Sequence, residues 1–190
     1  MFKKIVAIFS IMLLVFSFSG CQSGESAETA ATNFLNAIKT LDTKTIAKYS
    51  GEDGDMLTAE LSEDEDNPEI AIVRQIFENM TFEIKSAEEN GDTATVKAAI
   101  TNTDMNVVFT EVMNQAFSLI LSGASEEEMD GKIMEYMTAA MENNKDKVAT
   151  EEMDMALTKE EDGWKVDVTD ELLDAIMGGW DDAMSGEGDE

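Results

Sequence analysis

The chain contains no histidine, one cysteine, one proline, and 13 lysines and arginines against 41 aspartates and glutamates. Each shortage removes a class of function. Without histidine there is no Ser-His-Asp or Cys-His nucleophile arrangement and no imidazole-ligated metal. A single cysteine leaves no intramolecular disulfide framework and no cysteine-based zinc cluster. The formal net charge of −28 works against nucleic acid, whose phosphates are held by clustered lysine and arginine, so no nucleic-acid partner is expected. No apolar run reaches the roughly 20 residues that a membrane-spanning helix needs. The glycines fall at turns or near the end of the chain and form no phosphate-cradling loop. A length of 190 residues accommodates one domain with appendages.

What is present begins with an address. Lys3 and Lys4 precede an uncharged apolar run from Ile5 to Phe18, then the small residues Ser19 and Gly20, then Cys21. A basic start, a short apolar stretch and small residues form a secretory signal pattern. Phe18-Ser19-Gly20-Cys21 resembles the lipobox of a bacterial lipoprotein precursor, with Phe18 in the place of the more usual leucine. The resemblance implies that Cys21 receives diacylglycerol and becomes the mature N-terminus. It places the mature domain at the extracytoplasmic face of the cell membrane, with the lipid bilayer as a partner through acylated Cys21. The competing reading of Cys21 is a free thiol after an ordinary signal peptide. The expected organisation is a signal peptide at 1–20, a lipidated tether at 21–26, one domain at 27–178 and an acidic, disordered tail at 179–190.

Within 27–178 the hydrophobic period alternates between helix and strand. Ala27, Ala31, Phe34, Leu35, Ile38 and Leu41 recur at three and four residues, which predicts an amphipathic helix interrupted at Asp42. Thr43 to Tyr49 follows as a short helical turn. Residues 51–69 carry nine acids and no cation, and Asn67-Pro68-Glu69 opens another helix with the stripe Ile70, Val73, Ile76, Phe77 and Met80. Thr81 to Ala87 alternates, Asn90-Gly91 signals a hairpin, and Thr93 to Thr101 returns with Ala94, Val96, Ala98 and Ile100 on one face. Met105 to Leu121 is helical, and Ser125-Glu126-Glu127-Glu128 is a capping box that starts a further helix. Lys147 to Lys159 alternates again through Met153, Met155 and Leu157. Asp162-Gly163 turns the chain into Trp164, Val166 and Val168, and a last helix over 170–177 stops at Gly178-Gly179. The fold class is therefore α+β: N-terminal helices packed on a curved, mainly antiparallel four-stranded sheet, with a helical pair inserted between two hairpins.

This order is similar to that of small lipoproteins of the nuclear transport factor two-like (cystatin-like cone) superfamily. The likeness is carried by Asn33-Phe34-Leu35-Asn36-Ala37 with Asp42 and Tyr49, by Asn90-Gly91-Asp92-Thr93-Ala94-Thr95-Val96, and by Glu161-Asp162-Gly163-Trp164-Lys165-Val166. It implies a cone that can enclose a cavity. Its members include enzymes and non-catalytic binding modules, so the fold leaves the function open.

Chemically competent clusters are few. The acidic stretch 51–69 offers oxygen ligands for Ca²⁺ but lacks the EF-hand spacing, and a solvated, self-repelling loop accounts for it. There are 14 methionines; Met134, Met137 and Met141 share a helical face whose thioethers suit Cu(I), but core filling explains the same pattern. No metal site and no cofactor are expected. Met113, Phe117, Met137 and Met155 are candidates to line an apolar ligand pocket, with Trp164 placed to stack on a ligand or to cap the core. The helix over 105–121 is apolar on nearly every side from Val107 onward, which calls for deep burial, a protein partner or a second copy of the chain. Together these features point to a non-enzymatic, membrane-anchored binding or interaction module. The alternatives are a cone-fold enzyme using carboxylates as acid and base, and a structural envelope protein with no discrete site.

Overall fold

The computed structural model describes residues 24–51, 54, 58 and 67–185. Residues 1–20 (expected to be a signal segment), Cys21 and most of the acidic stretch 51–69 lie outside them. The described elements are α1 (Ala27–Thr40), α2 (Thr43–Ser50), α3 (Pro68–Asn79), β1 (Thr81–Asn90), β2 (Thr93–Thr103), α4 (Met105–Leu121), α5 (Glu126–Asn144), β3 (Val148–Glu160), β4 (Gly163–Val166), α6 (Asp170–Ile176) and α7 (Trp180–Ser185). The four strands form one antiparallel sheet in sequence order, β1-β2-β3-β4. The α+β architecture with N-terminal helices on a curved open sheet is the one the sequence predicts.

Local chemistry sets the helix ends. Ser26 caps α1 by accepting from the Thr29 amide, and Leu41 closes it in the left-handed region at φ 54°. Asp42, where the apolar pattern breaks, is the cap of α2 and accepts from the Thr45 amide at 3.2 Å. The Thr45 hydroxyl and amide together hold the Asp42 carboxyl below its ordinary range. Phe34, Leu35 and Ile38 of α1 and Ile46 of α2 are fully buried.

The sheet has one apolar face. Antiparallel pairing sets Ala94 opposite Leu157, Val96 opposite Met155 and Ala98 opposite Met153, so small or branched residues on β2 stand beside long ones on β3. On the other face lie the exposed residues Thr95, Lys97, Glu152 and Asp154. β1 departs from simple alternation. Its register shifts between Ile84 and Ser86, so Phe82 and Ile84 before the bulge share a face with Ala87 and Glu89 after it.

β2 pairs with β3 along its full length, from Thr93 opposite Thr158 to Thr103 opposite Val148. The helical pair α4–α5 is thus an excursion from the open end of one long β-hairpin. Its neck is closed by the Asp104 amide, which donates to the Lys147 carbonyl at 2.9 Å. The C-terminal segment corrects one expectation. Residues 180–185, assigned from their acidity to a disordered tail, form α7. The reason is Trp180, whose ring meets Phe109 edge-on at 4.9 Å and an interplanar angle of 75°; one aromatic contact outweighs the composition of the neighbouring residues. Residues 186–190 lie outside the described residues.

Candidate interaction surface

The helical arm is built from strong local signals at both ends. Asp104 caps α4 by accepting from the Asn106 amide at 3.0 Å. The other end of α4 closes in a Schellman turn: the Gly123 amide donates to Ile120 and the Ala124 amide to Leu119, with Gly123 at φ 85°. Two residues on, Ser125 and Glu128 form a reciprocal capping box that starts α5.

Packing within the arm divides α4 into flanks. Val108, Val112 and Ala116 are buried, as are Met137, Ala140 and Met141 of α5. Together they form the seam between the two helices. On one side of the seam Glu111 accepts from Asn143 Nδ2 at 3.0 Å and from Asn144 Nδ2 at 2.7 Å. These two amides hold the Glu111 carboxyl below its ordinary range. The same side carries a shallow, open groove of about 760 Å³ of mixed lining, with Val107 and Leu119 beside Thr110, Asn114, Gln115 and Ser118, and Tyr136 from α5.

The opposite flank is apolar and uncovered. Phe109 is shielded by Trp180, and beyond it Met113, Phe117, Ile120 and Leu121 are 65%, 61%, 53% and 73% exposed. Met113, Phe117, Ile120 and Leu121 follow Phe109 at helical spacing, so they extend the stripe that Trp180 covers. Glu111 is the one charged residue among the 17 of α4, and it belongs to the other side. In a chain with 28% charged residues, this flank is an apolar strip to which α4 contributes no charge.

A second polar cluster holds the start of the domain. The Tyr49 hydroxyl donates to Glu25, which also accepts from Asn33 Nδ2 at 2.6 Å, and Lys48 Nζ donates to the Tyr49 oxygen at 2.9 Å. Glu25, four residues after Cys21 in sequence, is thereby fixed to α1 and α2. A third cluster is acidic. Glu151 of β3 has its carboxyl pushed up by burial and by Asp174, Glu171 and Asp182. The Asp174 carboxyl is pushed up by burial and by Asp182 and Asp181, against the Asp181 amide that hydrogen-bonds it. Among the described residues no group of three or more His, Cys, Asp or Glu side chains is arranged to hold a metal ion. Likewise, among them no helix is long and apolar enough to cross a membrane.

No protein-family model matches the chain, and no curated protein matches it either. A solved structure with some likeness is that of a candidate lipoprotein (ycdA) from Bacillus subtilis, at 16% identity and a TM-score of 0.48. The match covers 81% of this chain and 59% of that one, so this chain spans less than two thirds of that protein's length.

The five residues that the sequence offers as ligand contacts separate into two places. Met113 and Phe117 stand on the open flank of α4. Met137 is buried in the α4–α5 seam, Met155 lies opposite Val96 in the sheet, and Trp164 is 2% exposed in β4. They do not converge on one pocket. A residue at a core-facing sheet position is apolar for the same reason as a pocket residue, so composition alone cannot separate the two. Among the described residues the Trp164 indole N–H has no hydrogen-bond partner, and Lys159 Nζ lies 5.3 Å from the ring centroid. Met141 is fully buried and Met137 nearly so, with Met134 partly buried against the core. Ile120 and Leu121 join the candidate surface. Their signal was the apolarity of α4 on all sides, which an amphipathic helix does not need.

Proposed function

We propose that this chain is a lipid-anchored, extracytoplasmic interaction module that docks a protein partner through the uncovered flank of α4. The observation that carries the reading is the run of Met113, Phe117, Ile120 and Leu121, more than half exposed on a helix with a single charge. Soluble domains seldom leave such a strip in water unless something covers it. Anchoring rests on the sequence: a basic start, a short apolar run and Cys21 as the sole cysteine behind Ser19-Gly20. Two acyl chains hold a protein at a bilayer far better than one. The cone-superfamily resemblance is supported by the N-terminal helices and the antiparallel sheet, and the helical arm is this chain's addition to that plan. No catalytic role is assigned.

Two measurements test the reading. Cys21→Ser, expressed with its own signal segment in a bacterium, is expected to leave the membrane fraction; unchanged fractionation would overturn the anchor. Native mass spectrometry of the wild-type protein extracted from the envelope in mild detergent is expected to show a complex heavier than the acylated monomer. Phe117→Asp is expected at monomer mass. A bare wild-type monomer would overturn the docking role.

A further inference from the structure

We infer that the partner of the helical arm is a second copy of this chain anchored in the same membrane, the two arms meeting along Met113, Phe117 and Ile120. This rests on the docking role proposed above and names its occupant.

Charge is the first argument. The chain carries a net −28, so two copies approaching through most surfaces set carboxylate against carboxylate. The outer face of the sheet, for example, presents Glu83, Glu88, Glu152 and Asp154, all exposed, against Lys85 and Lys97, which pair with Glu83 and Asp154, so acids outnumber cations there. The open flank of α4 carries no charge, and Glu111 is turned to Asn143 and Asn144 on the other side. Self-association of a strongly acidic chain is therefore least opposed at this strip, whose methionine and phenylalanine are typical of interface cores. A basic partner would find no carboxylate on the strip to pair with.

The length of chain outside the structure is the second. Gly24 is three residue steps from Cys21, which span about 10 Å at most. Beyond Gly24 the chain is fixed at once: Glu25 is bonded to Tyr49 and Asn33, and the Ala27 amide to Glu89. A domain tied this closely to its anchor stands at one height above the bilayer. Two copies in one membrane then present the same strip at the same height, and rotation about an axis normal to the membrane brings strip to strip. That is the isologous geometry of a two-fold dimer, and confinement to a plane raises the effective concentration. The bilayer is a poorer occupant, because its anionic headgroups repel a chain of net charge −28 over their whole plane, whereas a second copy can meet the strip with an uncharged one.

The test uses the full chain with its signal segment, acylated at Cys21, so that an introduced cysteine is the sole free thiol. Phe117→Cys, and separately Leu121→Cys, are treated in intact membranes with a short bismaleimide. The expected product has twice the mass of the mature chain and contains this chain alone. The outer-sheet control Thr95→Cys stays monomeric, with at least ten times less product. Raising the ionic strength is expected to increase the cross-linked fraction, since screening weakens the repulsion between copies; a decrease would overturn the inference. Cross-linking to a different polypeptide would overturn the second copy while leaving a docking surface. Thiols that react with reagent yet yield monomer at both positions would overturn the docking role and the dimer together. Quenching of a fluorophore at position 117 by brominated lipid would assign the strip to the bilayer and overturn both as well.

Discussion

The backbone amide of Ala27 donates to the carboxylate of Glu89 at 2.8 Å, across 62 residues of sequence. Ala27 is the first residue of α1, whose leading amides have no partner within the helix. Glu89 reaches it because the register shift after Ile84 turns the end of β1 over, placing Glu89 opposite Ala94 on the apolar face. The first turn of the domain is therefore capped by the last turn of a strand far along the chain.

Glu89→Ala removes the acceptor and leaves the Ala27 amide unpaired. We expect a loss of about 1 kcal/mol, measured as a lower urea midpoint at unchanged m-value. Hydrogen exchange is expected to speed up in the first turn of α1 and to stay unchanged in α5.

Gly178 is in the left-handed region at φ +72°, and a Cβ there would lie 2.2 Å from the Thr103 carbonyl oxygen. Gly178→Ala has to part α6 from β2, where Asn102 Nδ2 also donates to the Ile176 carbonyl at 2.6 Å. A loss of about 2–3 kcal/mol is expected in chemical denaturation. Gly91→Ala has a similar φ of +69° but open space around the Cβ, so it is expected to cost about 1 kcal/mol. Equal losses would show that backbone conformation and not the close approach to Thr103 decides.

Glu111→Ala releases Asn143 and Asn144, and the amides of α4 and α5 are expected to exchange faster than those of the sheet. The Glu111 carboxyl is held below its ordinary range by those two amides, so its contribution is present above the unfolded value of about 4.5 and fades as pH falls through the lower folded value. Thermal melts of wild type and variant are therefore expected to differ at neutral pH and to converge in acid.

Glu151 has the opposite sign. Burial and the neighbouring Asp174, Glu171 and Asp182 raise its folded-state value above 4.5. The folded protein then binds more protons than the unfolded chain between the two values, and stability falls as pH rises through that window. Glu151→Gln removes this penalty and is expected to raise stability at neutral pH by about 0.5 kcal/mol, with partial exposure and salt keeping the gain small. Titrating the melting temperature of both proteins from acid to neutral pH checks the slope; parallel curves would dismiss the repulsion.

How much of this was legible in the sequence differs from element to element. The span of α4, Met105 to Leu121, follows from its apolar pattern, and Ser125 announces the start of α5 through its capping box. The apolar faces of β2 and β3 follow from alternation, because burial on one side of a pleat leaves a period of two. The bulge in β1 was not legible. It spares Ala87 and Glu89 from the outer face, and nothing in the local composition separates Lys85 from a regular strand residue. The fate of the C-terminal acids was hidden too, since Trp180 needed Phe109 to hold it in a helix.

By itself, the sequence determined the single cysteine and the short apolar run before it, the acidic balance, the element order and the α+β class. Each of these is written in local pattern or in bulk charge. Which of the apolar residues stay in water was decided by the tertiary structure alone. Met113, Met137 and Met155 are chemically equivalent along the chain, yet Met137 is taken up by the α4–α5 seam and Met155 by the sheet. Met113 remains on the flank that neither α5 nor Trp180 reaches. Burial depends on which surfaces meet in space, and which parts of α4 are met by α5 and by Trp180 follows from how the arm leaves the sheet at Asp104 and Lys147.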